Sequence, residues 1–110
     1  MITGIGCDIV EIARLHEKLV TKILSLPEIS LYESFSSERR RQEFLAGRFA
    51  AKEAIIKAFG VIPFPEIVIL NDEVGKPYVS CRQLNDRKIN LSIAHEKAYA
   101  IAYCVVEALE

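Results

Sequence analysis

The chain has 110 residues, 51% hydrophobic and 26% charged, and 14 Lys and Arg against 15 Asp and Glu leave a net charge of −1. This is one domain's worth of sequence, residues 1–110, with enough apolar side chains for a sizeable core, which excludes disorder; near-neutrality excludes a nucleic-acid binder that works by overall charge. The longest apolar run, Ala98 to Val106, falls well short of the ~20 residues a membrane span needs, so no membrane association is expected.

No secretory leader pattern opens the sequence and none is expected. Cys7, Cys81 and Cys104 are odd in number and form no CxxC pair, which suggests neither a disulfide framework nor a zinc ribbon and makes a reducing cytoplasm the expected home. The mean hydropathy of +0.20 is high for so short a soluble chain and hints at apolar surface hidden against another subunit.

In chain order, Ile2 to Val10 mixes β-branched residues with Gly4 and Gly6 and reads as a strand that is bulged or closely approached, with Asp8 at its far end. From Glu11 the apolar residues Ile12, Leu15, Leu19, Ile23 and Leu26 recur at steps of three and four, predicting an amphipathic helix. Arg14, Lys18 and Lys22 would then form a basic stripe beside its apolar face. Pro27 interrupts this helix, and Ser30 with Glu33 has capping-box spacing for a short helical piece. Ser36 or Ser37 caps a long helix that runs to Phe59 and stops at Gly60. Ile67 to Leu70 reads as a buried strand, and the turn residues Asn71 to Pro77 predict a hairpin spanning Ile67 to Cys81. Lys88 to His95 and Tyr99 to Glu107 read as two further strands, the last central or packed on the long helix. Helices followed by a run of strands favour an α+β domain, an antiparallel sheet packed against the long helix.

Few residues stand out chemically. Phe49, Glu53 and Lys57 share one face of the long helix, flanked by the small Ala46 and Ala50, but a Glu–Lys pair at this spacing is also ordinary surface chemistry. Asp8 either caps the following segment or, were it to meet Glu53 in space, would make with it a plausible Mg²⁺ site. His95 ends a strand before a tight connection, and Gly75-Lys76-Pro77 presents a cation at a turn. No Walker loop, Gly-x-Gly-x-x-Gly or nucleophile triad is present, and His16 carries no signal.

Together and in order, these residues resemble the holo-acyl-carrier-protein synthases, within the 4′-phosphopantetheinyl transferases. The resemblance rests on Gly4-Ile5-Gly6-Cys7-Asp8-Ile9-Val10-Glu11-Ile12 with Arg14, on Phe44-Leu45-Ala46-Gly47-Arg48-Phe49-Ala50-Ala51-Lys52-Glu53-Ala54 with Lys57-Ala58, and on Ile89-Asn90-Leu91-Ser92-Ile93-Ala94-His95; Gly75-Lys76-Pro77 matches a family loop. It implies transfer of the phosphopantetheine arm of coenzyme A to a serine of apo acyl carrier protein, releasing adenosine 3′,5′-bisphosphate. By the same resemblance Asp8 and Glu53 hold Mg²⁺, Glu53 helps deprotonate the serine and Lys57 stabilises charge on the pyrophosphate and leaving group. Arg48, Lys76, Pro77, Ser92 and His95 would line the nucleotide end. Arg14, Lys18 and Lys22 would meet the acidic carrier protein. The family also implies a homotrimer with active sites shared between subunits. Ala94 departs from the pattern, standing where the family has a Ser or Thr. The competing readings are a non-catalytic module that holds an acidic carrier protein through the basic stripe, and a structural α+β subunit.

Overall fold

The computed structural model describes residues 1–109. Strand β1 (Ile2–Glu11) leads into two short 3₁₀ turns (Ile12–Arg14 and Glu17–Leu19) and a one-turn helix α1 (Val20–Ile23). Helices α2 (Leu26–Ser34) and α3 (Glu38–Phe59) follow, then β2 (Val68–Asn71), β3 (Pro77–Ser80), β4 (Arg87–His95) and β5 (Tyr99–Ala108). β1, β5 and β4 form one antiparallel sheet in that order, with β5 central, and β2 and β3 form a separate antiparallel hairpin. The α+β expectation and the central last strand are both met.

α3 is the spine of the molecule. Ser37 caps it by accepting the Arg40 N–H at 3.2 Å, and Gly60, at φ 141°, ends it. The helix lies across the inner face of the large sheet through small residues. Ala46, Ala50, Ala51 and Ala54 are fully buried against it, as are Ala100 and Ala102 of β5. The two glycines of β1 permit the closest approach. A Cβ on Gly4 would lie 1.9 Å from the Ala58 carbonyl oxygen, and one on Gly6 would lie 2.1 Å from that of Ala54. β1 also shifts register between Ile2 and Gly4, so it is both bulged and closely approached.

Four expectations need correction. The segment after β1 is not one amphipathic helix, because Leu15 and His16 are extended between the two 3₁₀ turns. Tertiary hydrogen bonds shape the segment instead: Ile12 N–H donates to Ala98 O at 2.7 Å, beside the β1–β5 ladder, and Gln42 Nε2 donates at 3.1 Å to Leu15 O, a carbonyl that a helix would have used. Ile12, Leu15 and Ile23 are buried as the spacing required, whereas Leu26 is 81% exposed. Pro27 does not break a helix but sits in the first turn of α2, where its missing N–H costs nothing. The capping residues there are Ser25 and Glu28, not Ser30 and Glu33: Ser25 N–H and Oγ both donate to Glu28 Oε1 at 2.8 Å. Finally, Ile67 precedes the hairpin strand, which begins at Val68.

Glu28 and Lys52 are fully buried, and their polar atoms are satisfied. Lys52 Nζ donates to Glu28 Oε1 at 2.6 Å, Ile23 O at 2.7 Å and Phe64 O at 3.0 Å, while Glu28 Oε2 accepts the Ile69 N–H at 3.0 Å. Burial pulls the Lys52 ammonium below its ordinary range, and the Glu28 carboxylate partly restores it. Such a pair is costly to break one side at a time, about 3–5 kcal/mol, because the remaining charge stays buried.

Candidate active site

The inward residues of β1 alternate as Gly4, Gly6, Asp8 and Val10, which sets Asp8 beside the C-terminal half of α3. There Lys57 Nζ donates to Asp8 Oδ1 at 3.0 Å and to the Cys7 carbonyl at 3.0 Å. The Asp8 side chain is largely shielded and that of Lys57 half exposed. Asp8 raises the Lys57 ammonium above its usual range, first by the hydrogen bond and then by its charge, and Glu53, one helical turn before Lys57, adds to the effect. The ammonium therefore feels two carboxylates from two different elements. Glu53 itself makes no side-chain hydrogen bond among the described residues, and no group of three or more His, Cys, Asp or Glu gathers among them.

A second constellation lies at the N-terminal half of α3. Arg40, Glu43, Phe44, Gly47 and Arg48 of the helix, Asn71, Gly75 and Pro77 of the hairpin, and Ile93 and His95 of β4 line a cleft of about 280 Å³. Arg48 stacks on Phe44 at 4.4 Å, and its Nε and Nη2 donate to Ile69 O at 3.2 Å and Asn71 Oδ1 at 2.8 Å. Burial lowers the Arg48 pKa, Glu28 opposes that and Arg40 reinforces it. His95 Nδ1 stands 3.8 Å from Glu43, whose carboxylate accepts from Arg39 Nε at 3.0 Å. Arg39 Nη2 in turn holds the β4–β5 connection through Glu96 O and Lys97 O. With guanidinium and imidazole groups converging on few acceptors, this cleft suits a multiply charged anion.

The structure thus brings Asp8, Glu53 and Lys57 together, and separately Arg48, Pro77 and His95. It does not bring Ser92 to the cleft. Ser92 stands three residues before His95 on β4 and faces the opposite, outer side of the sheet with Asn90 and Ala94. Lys76 is exposed in the hairpin turn, its backbone N–H held by Asp72 Oδ1 at 2.9 Å. Arg14, Lys18 and Lys22 are exposed but ride on three successive short helical pieces instead of one helix face. Arg40 was missed by the sequence reading. The signal was available, since Arg40, Phe44 and Gly47 share a helix face with Arg48.

The two constellations do not face each other. Asp8 is on β1 and His95 on β4, the two opposite edges of the three-stranded sheet. Nine residues at about 100° each also put Arg48 and Lys57 half a turn out of phase on α3. Between them, the outer face of the sheet is apolar and uncovered: Ile5 is 70% exposed, Ile9 61% and Tyr103 58%.

Residues 4–104 match the family model of the 4′-phosphopantetheinyl transferase superfamily. The chain is 44% identical to a holo-(acyl-carrier-protein) synthase of Petrotoga mobilis, over 96% of this chain and 97% of that protein, and 43% identical to one of Bacillus subtilis, over 99% and 98%. Among solved structures it is similar to a holo-(acyl-carrier-protein) synthase of Bacillus anthracis in complex with coenzyme A (3′,5′-ADP), with a TM-score of 0.92 and 38% identity over 99% of both chains. A Thermotoga maritima holo-(acyl-carrier-protein) synthase matches with a TM-score of 0.86 and 33% identity, over 99% of this chain and 66% of that one.

Proposed function

The chain belongs to the 4′-phosphopantetheinyl transferase superfamily, and on that premise we propose that it is a holo-acyl-carrier-protein synthase, moving phosphopantetheine from coenzyme A to a serine of apo acyl carrier protein. The observation that carries the reading is the Asp8–Lys57 contact with Glu53 one turn away, a pairing of carboxylates and ammonium beside an open surface. In the reaction the serine oxygen bonds to the phosphorus carrying the pantetheine arm, the bond from that phosphorus to the bridging oxygen breaks, and adenosine 3′,5′-bisphosphate leaves.

Asp8 and Glu53 are hard oxygen donors from separate elements, a set that fits Mg²⁺, which takes one or two carboxylates together with substrate phosphates. Bound there, the ion would neutralise pyrophosphate charge. Glu53, without a hydrogen-bond partner of its own among the described residues, is the group available to take the serine proton. Lys57, kept charged by Asp8, offsets the negative charge that grows on the leaving phosphate. Arg48, Arg40 and His95 hold the nucleotide's phosphates in their cleft, and Pro77 walls it.

A single chain presents these halves on opposite sides of α3, which supports a homotrimer in which the Asp8 edge of one copy meets the cleft of the next. The exposed apolar outer face of the sheet is the surface that such an assembly would cover. It also accounts for Ser92, which reaches a site only where another copy lies against that face. Arg14, Lys18 and Lys22 remain the cations offered to the acidic carrier protein, now as a dispersed patch, and Lys76 the one offered to the nucleotide from the turn. No described helix is long and apolar enough to cross a membrane.

The test is incubation with coenzyme A and apo carrier protein, followed by mass spectrometry of the carrier. A gain of the phosphopantetheine mass that stops with a chelator is expected. Carrier binding without any gain would favour the non-catalytic module.

A further inference from the structure

We infer that Glu28, fully buried behind Arg48, is a positioning residue for the nucleotide cleft, acting through Ile69 on Arg48. The inference rests on the reading above that Arg48 binds phosphate.

Arg48 has five N–H donors on a planar fork, and three features fix its plane. Nε donates to the backbone carbonyl of Ile69, Nη2 to the Asn71 side chain, and one face lies on Phe44. Nη1 has no hydrogen-bond partner among the described residues and is left for a ligand in the cleft. Two of those three constraints come from β2. Yet β2 belongs to a two-stranded hairpin outside the main sheet, and a hairpin of that size is marginal alone.

Glu28 supplies the missing anchor. Its Oε2 accepts the N–H of Ile69, the residue whose carbonyl takes Arg48 Nε, and lies 3.9 Å from Arg48 Nε itself. Its Oε1 is fixed by Ser25 and Lys52. Both groups leave the same edge of β2, away from β3, so one buried carboxylate fixes the amide of the very residue whose carbonyl Arg48 reads. Downstream, Asn71 Nδ2 donates to Gly75 O at 2.9 Å, so the same rail reaches the turn that contributes Gly75 and Pro77 to the cleft. A carboxylate needed only to neutralise Lys52 would have no reason to hold this particular amide.

The experiment compares Arg48→Met, the charge-matched double variant Glu28→Gln with Lys52→Met, and Asn71→Ala in the full chain, measuring kcat and KM for coenzyme A with a thermal melt of each. Arg48→Met is expected to raise KM about tenfold or more, as loss of a charge-assisted contact does. The double variant and Asn71→Ala are expected to raise KM several-fold while kcat stays within about twofold. Asn71 contacts Arg48 directly and lines the cleft, so its variant calibrates the loss of one Arg48 contact; where the double variant does not fold, Glu28→Asp, which keeps the charge but draws the carboxylate back from the Ile69 amide, decides by the same several-fold rise in KM. If Arg48→Met raises KM while the folded Glu28 variants leave it unchanged, the inference is overturned and the proposed function stands. If Arg48→Met itself leaves KM unchanged, the nucleotide reading of Arg48 fails and the inference fails with it.

Discussion

Lys57 Nζ lies 3.0 Å from Asp8 Oδ1, joining residues 49 positions apart in sequence across the contact between α3 and β1. The contact exists because Gly4 and Gly6 let the strand slide under Ala54 and Ala58. The proposed site and the packing are therefore coupled at one place. Lys57→Ala should leave folding intact, since the side chain is half exposed, and lower kcat by about 10²–10³ if it stabilises the leaving group. The check is steady-state transfer kinetics beside a melt of the variant.

The glycines give a structural counterpart. Gly6→Ala places a methyl group against the Ala54 carbonyl, which is backbone and can yield only by moving α3. A loss of about 1–3 kcal/mol or more is expected from such overpacking, read as a lower urea midpoint. Activity should fall with it, because Asp8 moves relative to Lys57.

Much of this was legible beforehand. A cap at Ser36 or Ser37, the Gly60 stop and the spacing between them defined α3, and the almost wholly apolar run from Tyr99 to Glu107 pointed to a strand that is central or packed on that helix. The Glu11 to Leu26 segment misled because steps of three and four fit 3₁₀ turns wrapped on a core as well as they fit a helix. What decided it was a pair of long-range hydrogen bonds, from Ile12 to Ala98 and from Gln42 to Leu15, that no local pattern records. Period two alone puts Ser92 on the face of β4 opposite His95, so within one chain the two do not share a cleft. That Asp8 and His95 lie on opposite sheet edges is a matter of strand order, which only the fold supplies.

Assembly should protect the one exposed thiol. Cys7 lies on the outer face of the sheet, where the proposed trimer is covered, whereas Cys81 and Cys104 are buried in the chain. A thiol reagent should label Cys7 slowly in the assembled protein and faster on dilution. Tyr103→Asp, on the same face, should give a monomer in which Cys7 labels at once and transfer is lost; a fully active monomer would refute the shared site.

Burial raises the Cys104 thiol to about 11, against an ordinary value of 9.0. Its folded value is the higher one, so the unfolded chain loses this proton first. The stabilisation it gives is complete below pH 9 and is lost as the pH rises from 9 towards 11. Urea midpoints at successive pH values should fall more steeply there for the native sequence than for Cys104→Ala; parallel curves would rule this out.

The most direct measurement mixes two impaired variants and assays them at coenzyme A well below the wild-type KM, where a raised KM shows as lost transfer. Lys57→Ala disables the carboxylate edge and Arg48→Met the nucleotide cleft, so neither homotrimer should transfer phosphopantetheine efficiently. If each site is built from two copies, subunit exchange creates intact sites where the good edge of one variant meets the good cleft of the other, and roughly a quarter of wild-type transfer should return. Mixed trimers seen by native mass spectrometry that add no mass to the carrier protein would contradict the account.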